Sequence, residues 1–243
     1  MRLLAFVVPP AERRFEPPPV GSLADGDVHL HQATLTAAVD PAAAAAVLSA
    51  DEWARADRLS EPARRRFVTT RRVLRTVLAA YVDADPATLV FGRGPTGKPR
   101  LQRSDVRFNL AHAGHRMLVG IARNREIGVD LERVDPRIDA VRIARRIFRA
   151  SEVAALERLA SSDRVRGFTR AWAAHEALVK MMGTGMFASS RLFAVEVDPT
   201  LPLTGETELD AAAALAEVPV DAEFAGALAV ADAREPRVVH WRE

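Results

Sequence analysis

Twice along its length the chain passes through helix-forming sequence into strands. Each time the closing strand alternates small and apolar side chains, MLVGIARN at 117–124 and FAGALAVAD at 224–232. Successive strand residues point to opposite faces, so this alternation marks a strand with a covered face. The repeat points to an α+β fold of two similar α/β halves, residues 1–123 and 124–243, packed as an intramolecular pseudo-dimer. A chain of 243 residues has ample core for this, since folding at that size buries roughly 70–75% of the unfolded surface. It needs no covalent staples and has none. The absence of Cys excludes disulfide frameworks, Cys-ligated zinc, iron–sulfur clusters and thiol nucleophiles.

Local signals divide the halves further. Leu3–Val8 and Val28–Leu35 read as strands on either side of a Pro-rich turn, and the stretch from Pro41 to about Ser60 as one helix with Pro in its first turn. Pro62 to Val82 reads as a long amphipathic helix. Phe67, Val73, Leu74, Val77, Leu78 and Tyr81 line its apolar face, and Arg64, Arg65, Arg66, Arg71, Arg72 and Arg75 crowd the others. ATLVF, VRFNL and MLVGIA follow as strands, with a glycine-rich loop GRGPTGKP after the first and a tight turn AHAGHR after the second. The strand EIGVDLERV opens the second half. Helices are expected at 139–148, 151–159 and 163–182, with Gly183 and Gly185 ending the last, and strands in RLFAVEV, AAAALAEV, AEFAGALAVA and RVVHW.

Charge is distributed unevenly. The formal net charge is +2, yet residues 51–185 carry 27 basic against 16 acidic side chains between two acidic ends. Such a centre suits an anionic partner, or equally a set of solvated arginine-rich helix faces. Only two of the 34 basic residues are Lys, Lys98 and Lys180. Where Arg serves as the general cation, a retained Lys points to a compact ammonium of tunable pKa.

Three segments carry candidate chemistry. In GVDLE, Asp130 and Glu132 stand at i and i+2 on one strand face. Like charges so placed either share a hard divalent cation or emerge into solvent at a strand end. In WAAHEALVK, Trp172, Glu176 and Lys180 recur every four residues on one stripe of an otherwise apolar helix, as an ordinary ion pair or as a proton acceptor and donor. In FNLAHAGHR, a small-residue turn would present His112 with free backbone N–H groups. The loop GRGPTGKPR delivers Lys98 and Arg100 but has neither dinucleotide nor P-loop spacing, and neither G-x-S-x-G nor H-E-x-x-H occurs. Few aromatics separate the basic stretches, which argues against nucleic acid as a partner. No apolar run reaches the ~20 residues of a membrane helix. The short LLAFVVPP stretch lacks a signal-peptide cleavage pattern, so a cytoplasmic protein off the membrane is expected.

Taken in order, GKP at 97–99, FNLAHAG at 108–114, GVDLE at 128–132 and W-x-x-H-E-A-x-x-K-x-x-G-x-G at 172–185 resemble the 4′-phosphopantetheinyl transferases of the long, single-chain, surfactin-synthetase-activating type. The resemblance implies the two-halved α+β fold of that family, with the site between the halves. It also implies transfer of the phosphopantetheine arm of coenzyme A to a serine of an apo acyl or peptidyl carrier protein, releasing adenosine 3′,5′-bisphosphate. By resemblance Asp130, Glu132 and Glu176 hold Mg²⁺, Glu176 deprotonates the serine, and Lys180 contacts the phosphates and compensates the leaving group. His112, Lys98 and the backbone at Ala111 bind coenzyme A phosphates, with Arg55 and Arg66 as partners of the 3′-phosphate. An internal pseudo-dimer implies a monomer. Another metal-dependent phosphotransferase or pyrophosphate-cleaving enzyme is the alternative. Two departures stand out. Ala111 and Ala113 replace the usual serines around the turn histidine, and His175 replaces a lysine before Glu176, which implies a tighter pH dependence or a different coenzyme A grip.

Overall fold

A computed structural model describes the whole chain except residues 12, 15–20, 36–40, 96, 185–191, 210, 211, 233 and 243. Its strands are β1 (Leu4–Ala5), β2 (Arg13–Arg14), β3 (Asp27–Thr34), β4 (Phe91–Arg93), β5 (Pro99–Leu101), β6 (Val106–Ala113), β7 (Arg116–Arg123), β8 (Ile127–Arg133), β9 (Phe193–Val195), β10 (Gly205–Thr207), β11 (Ala213–Val218), β12 (Phe224–Ala231) and β13 (Arg237–Arg242). Its α-helices are α1 (Pro41–Ala45), α2 (Ala50–Ala56), α3 (Ala63–Val82), α4 (Ala140–Ile147), α5 (Ala150–Arg158) and α6 (Ser161–Met182).

The repeat is written in the sheet order. One sheet runs β2-β13-β3-β7-β6 and the other β1-β11-β12-β8. Within them β3-β7-β6 and β8-β12-β11 are the same antiparallel motif, each with a long helix, α3 or α6, between its first and second strands in the chain. The alternating segments 117–124 and 224–232 are the middle strands of these motifs. Both faces of β7 are covered, and one face is different from the other. Met117, Val119 and Ile121 pack with Val73, Leu74, Val77 and Leu78 of α3, whereas Leu118 and Ala122 join a core with Ile127, Val129 and Leu131 of β8 and Leu228 and Val230 of β12. In the second sheet Ala227 and Ala229 of β12 face Ala173, Ala174 and Ala177 of α6. The molecule is therefore layered helix, sheet, sheet, helix, with the edge strands β6 and β8 side by side, where Asn109 Oδ1 accepts from the Val129 N–H at 2.9 Å.

The sheets do not respect a division at 123/124. β1 is added to the second half's sheet, parallel to β11, and β13 to the first half's sheet, parallel to β3.

Several local expectations are corrected. The helix expected from Pro41 to about Ser60 is two, because Ser49 and Glu52 form a reciprocal capping box that starts α2. The first strand is confined to Leu4–Ala5 and ATLVF to a strand beginning at Phe91. Arg75 lies on no solvated face: it is 2% exposed, donating to Glu52 Oε2 at 2.6 Å and to the carbonyls of Pro86 and Leu89. Gly183 ends α6 in the left-handed conformation, φ 75°, and Gly185 lies outside the described residues.

Candidate active site

β8 is buried on both faces, but its two faces differ in kind. Ile127, Val129 and Leu131 enter the core between the sheets, and Gly128, Asp130 and Glu132 necessarily look the other way, toward α6. Gly128 sets how close that helix comes. A Cβ there would lie 2.0 Å from the Ala177 carbonyl oxygen and 2.4 Å from the Met181 nitrogen, so strand and helix meet backbone to backbone. Small residues on β12 extend the same fit, since Ala227 and Ala225 are the register partners of Asp130 and Glu132.

Helix and strand run in opposite senses across this contact. Trp172 Nε1 donates to Glu132 Oε1 at 3.1 Å, and one helical step of eight residues later the Lys180 ammonium forms an ion pair with Asp130 Oδ1. Glu176 lies between them on the same stripe. Thus three carboxylates from two elements lie on the facing sides of β8 and α6, with one ammonium paired to Asp130. Asp130 and Glu176 are buried at 3% and 7% exposure, and Glu132 is partly so.

The electrostatics follow from that crowding. Burial, then the charge of Asp130, pushes Glu132 up to about 7, with Glu176 adding to the repulsion and the Trp172 hydrogen bond opposing it. Burial and Asp130 likewise raise Glu176, against Lys180. Asp130 is raised by burial despite the Lys180 ion pair. Burial is the first cause at all three, and the charge of Asp130 adds to it at Glu132 and Glu176.

The all-oxygen donor set fits a hard divalent cation. Asp130 Oδ2 is buried without a hydrogen-bond partner, which is the position such an ion would satisfy. Among the described residues no three His, Cys, Asp or Glu side chains are closed around a single point, and Lys180 holds the other Asp130 oxygen.

The remaining expected residues are placed differently. His112 is exposed on β6, the strand beside β8, but it is not in a turn. β6 continues through Ala113, with Ala111 buried opposite Leu118 and His112 opposite Met117, so the turn consists of Gly114 and His115. The expected turn at Ala111 and His112 is corrected to strand, since β6 runs on through Ala113. Arg55 and Arg66 are exposed on α2 and α3, and the Arg55 guanidinium lies 5.0 Å from the Phe67 ring centroid. Lys98 is turned inward. Its ammonium donates to Glu126 Oε2 at 2.8 Å, Ile127 O at 2.7 Å and Met181 O at 3.1 Å, with the side chain 7% exposed.

His175 is a second correction. Its ring is wholly buried, bonded through Nε2 to Glu152 Oε1 at 2.7 Å and stacked on Phe148 at 4.9 Å. Glu152 also accepts the Val195 and Arg149 N–H groups at 3.0 Å each. His175 thus fastens α6 to α5 and, through Glu152, to β9. Neither Glu152 nor Glu126 stood out in the sequence. For Glu126 the available signal was its place, an acid opening an apolar strand in a basic region.

Comparison with known proteins bears on the family. Residues 126–229, from the start of β8 through most of β12, match the description of the 4′-phosphopantetheinyl transferase superfamily. The 4′-phosphopantetheinyl transferase HetI of Nostoc sp. is 34% identical over 203 residues, 81% of this chain and 84% of HetI. The chain belongs to the 4′-phosphopantetheinyl transferase superfamily. Protein slr0495 of Synechocystis sp. is 40% identical over 145 residues, 58% of this chain and 59% of that protein. A Bacillus subtilis 4′-phosphopantetheinyl transferase is 29% identical over 126 residues, 51% of this chain and 55% of its own length. Against the last two, this superfamily member spans little more than half of the relative's length.

Proposed function

We propose that the protein transfers the 4′-phosphopantetheine arm of coenzyme A to a serine hydroxyl of an apo acyl or peptidyl carrier protein, in the cytoplasm, as a monomer. It is read as the surfactin-synthetase-activating type, with 1–123 and 124–243 as its two sequence units, each lending a terminal strand to the other's sheet. No described helix is long and apolar enough to cross a membrane. The observation that carries the reading is the joining of Asp130, Glu132, Glu176 and Lys180 on the facing sides of β8 and α6.

In the reaction a bond forms between the serine oxygen and the phosphorus bearing pantetheine, and the bond from that phosphorus to the oxygen of adenosine 3′,5′-bisphosphate breaks. Such transfers depend chiefly on positioning and charge compensation. Asp130, Glu132 and Glu176 would hold Mg²⁺, whose charge offsets that of the pyrophosphate. Glu176, with proton affinity raised by burial and Asp130, is suited to take the serine proton. The Lys180 ammonium stands beside the same carboxylates and compensates the charge that develops on the departing phosphate. Trp172 keeps Glu132 directed at the cluster through its N–H. His112, Arg55 and Arg66, all exposed, are offered to the coenzyme A phosphates, and a basic centre speeds the approach of a polyanionic donor and an acidic carrier.

The test is incubation with coenzyme A, Mg²⁺ and an apo carrier protein, read by mass spectrometry as a gain equal to the phosphopantetheine arm. Asp130→Ala and Glu176→Ala should each lower turnover by at least ~10²-fold. Cleavage of coenzyme A without modification of the carrier would instead show a pyrophosphate-cleaving enzyme.

A further inference from the structure

Lys98 is one of two lysines in the chain, and it stands in the loop between β4 and β5, on the first half of the molecule. Its three ammonium donors all go to the second half: to the Glu126 carboxylate, to the carbonyl of Ile127 at the start of β8, and to the carbonyl of Met181 in the last turn of α6. A lysine has three N–H donors, so none is left for a ligand in this arrangement. Burial holds its pKa below the ordinary range while Glu126 opposes that shift.

The two carbonyls are the neighbours of the closest approach in the site. Ile127 precedes Gly128, whose missing Cβ admits Ala177 and Met181, and Met181 follows Lys180. We infer that Lys98 is a positioning residue: it clamps β8 to the end of α6 at the Gly128 crossing and so fixes the spacing between Asp130 and Lys180, rather than holding a coenzyme A phosphate. Asp130 is three strand residues from Ile127, roughly 10 Å along β8, so a small change of crossing angle at the clamp displaces the carboxylates relative to the helix. Glu126 completes the device. It also receives Arg100 at 2.6 Å, which holds the far side of the same loop.

The inference rests on the transferase reading, and the experiment separates the two. With wild type, Lys98→Met and Glu126→Gln, initial rates of arm transfer are measured over coenzyme A concentration. They are repeated with dephospho-coenzyme A, and amide hydrogen exchange is followed at 127–130 and 179–183. Lys98→Met should lower kcat about 10- to 100-fold, the scale of a small misplacement of reacting groups, with the KM for coenzyme A changed less than about threefold and the preference for the 3′-phosphorylated donor kept. Glu126→Gln should act in the same sense, the double variant should be no worse than Lys98→Met, and exchange should rise at both segments. A tenfold or greater rise in KM with kcat kept, and loss of the preference over dephospho-coenzyme A, would overturn it by showing a phosphate ligand. Unchanged exchange at both segments would overturn it even if the wild type transfers nothing, the result that would sink the transferase reading alone. If Lys98→Met does not fold, Glu126→Gln decides by the same kcat, KM and exchange criteria.

Discussion

At the scale of single residues, the carboxylate cluster sacrifices stability to hold charge where the fold is dry. Glu132 is the clearest case, raised from an ordinary 4.5 to about 7 by burial and by Asp130. A carboxyl whose folded pKa exceeds its unfolded value costs nothing below the unfolded value and the full amount above the folded one. Glu132→Gln should therefore stabilise the metal-free protein at pH 8 by about 1–2 kcal/mol, after discounting for partial exposure, and the gain should vanish at pH 4. Urea denaturation in EDTA at the two pH values checks this, and equal stabilities at pH 8 would show that neither burial nor Asp130 raises Glu132. Residue identity was legible in the sequence at Asp130, Glu132, Glu176 and Lys180, because strand and helix periods alone put each pair on one face. It was not legible at Lys98, Arg75 and His175. A basic residue looks the same in sequence whether it meets solvent or a distant carboxylate, and the partners Glu126, Glu52 and Glu152 lie 28, 23 and 23 residues away.

Among elements, the decisive contact is that between β8 and α6. Gly128→Ala should not be accommodated, since the new methyl group would meet backbone atoms of Ala177 and Met181 that have no rotamer to change. A loss of about 4 kcal/mol or more is expected from thermal or urea unfolding, whereas Gly92→Ala, facing only the flexible Gln102 side chain at 3.2 Å, should stay within about 1 kcal/mol. Elements with long, regular patterns, such as α3, α6, β7 and β12, were legible because one face is covered by a single continuous core. Boundaries set by one hydrogen bond were not. Ser49 divides α1 from α2 through its cap, and AHAGHR looks like a turn although its first three residues extend β6.

At the scale of the whole molecule, the first half carries a buried polar knot remote from the carboxylates in function. Tyr81 Oη bonds His29 Nδ1 at 2.8 Å and His31 Nε2 at 2.7 Å, and the Trp241 ring stacks on His31. Burial lowers His29 to about 4 and His31 to about 3. Their contribution to stability is complete above the unfolded value of about 6.5 and is lost as pH falls from there toward the folded values, because the unfolded chain binds protons the fold refuses. Stability should thus fall by a few kcal/mol between pH 6.5 and 4, and a His29→Gln, His31→Gln double variant should show a flatter slope in urea titrations over that range. Trp241 belongs to β13, so this knot also fastens the last strand into the first half's sheet. Because β1 and β13 are exchanged between the sheets, the polypeptide passes from one repeat to the other three times: before β3, between β7 and β8, and between β12 and β13. A pair of lobes joined by one linker can swing like a book on its spine. Lobes laced three times cannot, so on the proposed transfer the seam of β6 and β8 keeps one width throughout turnover.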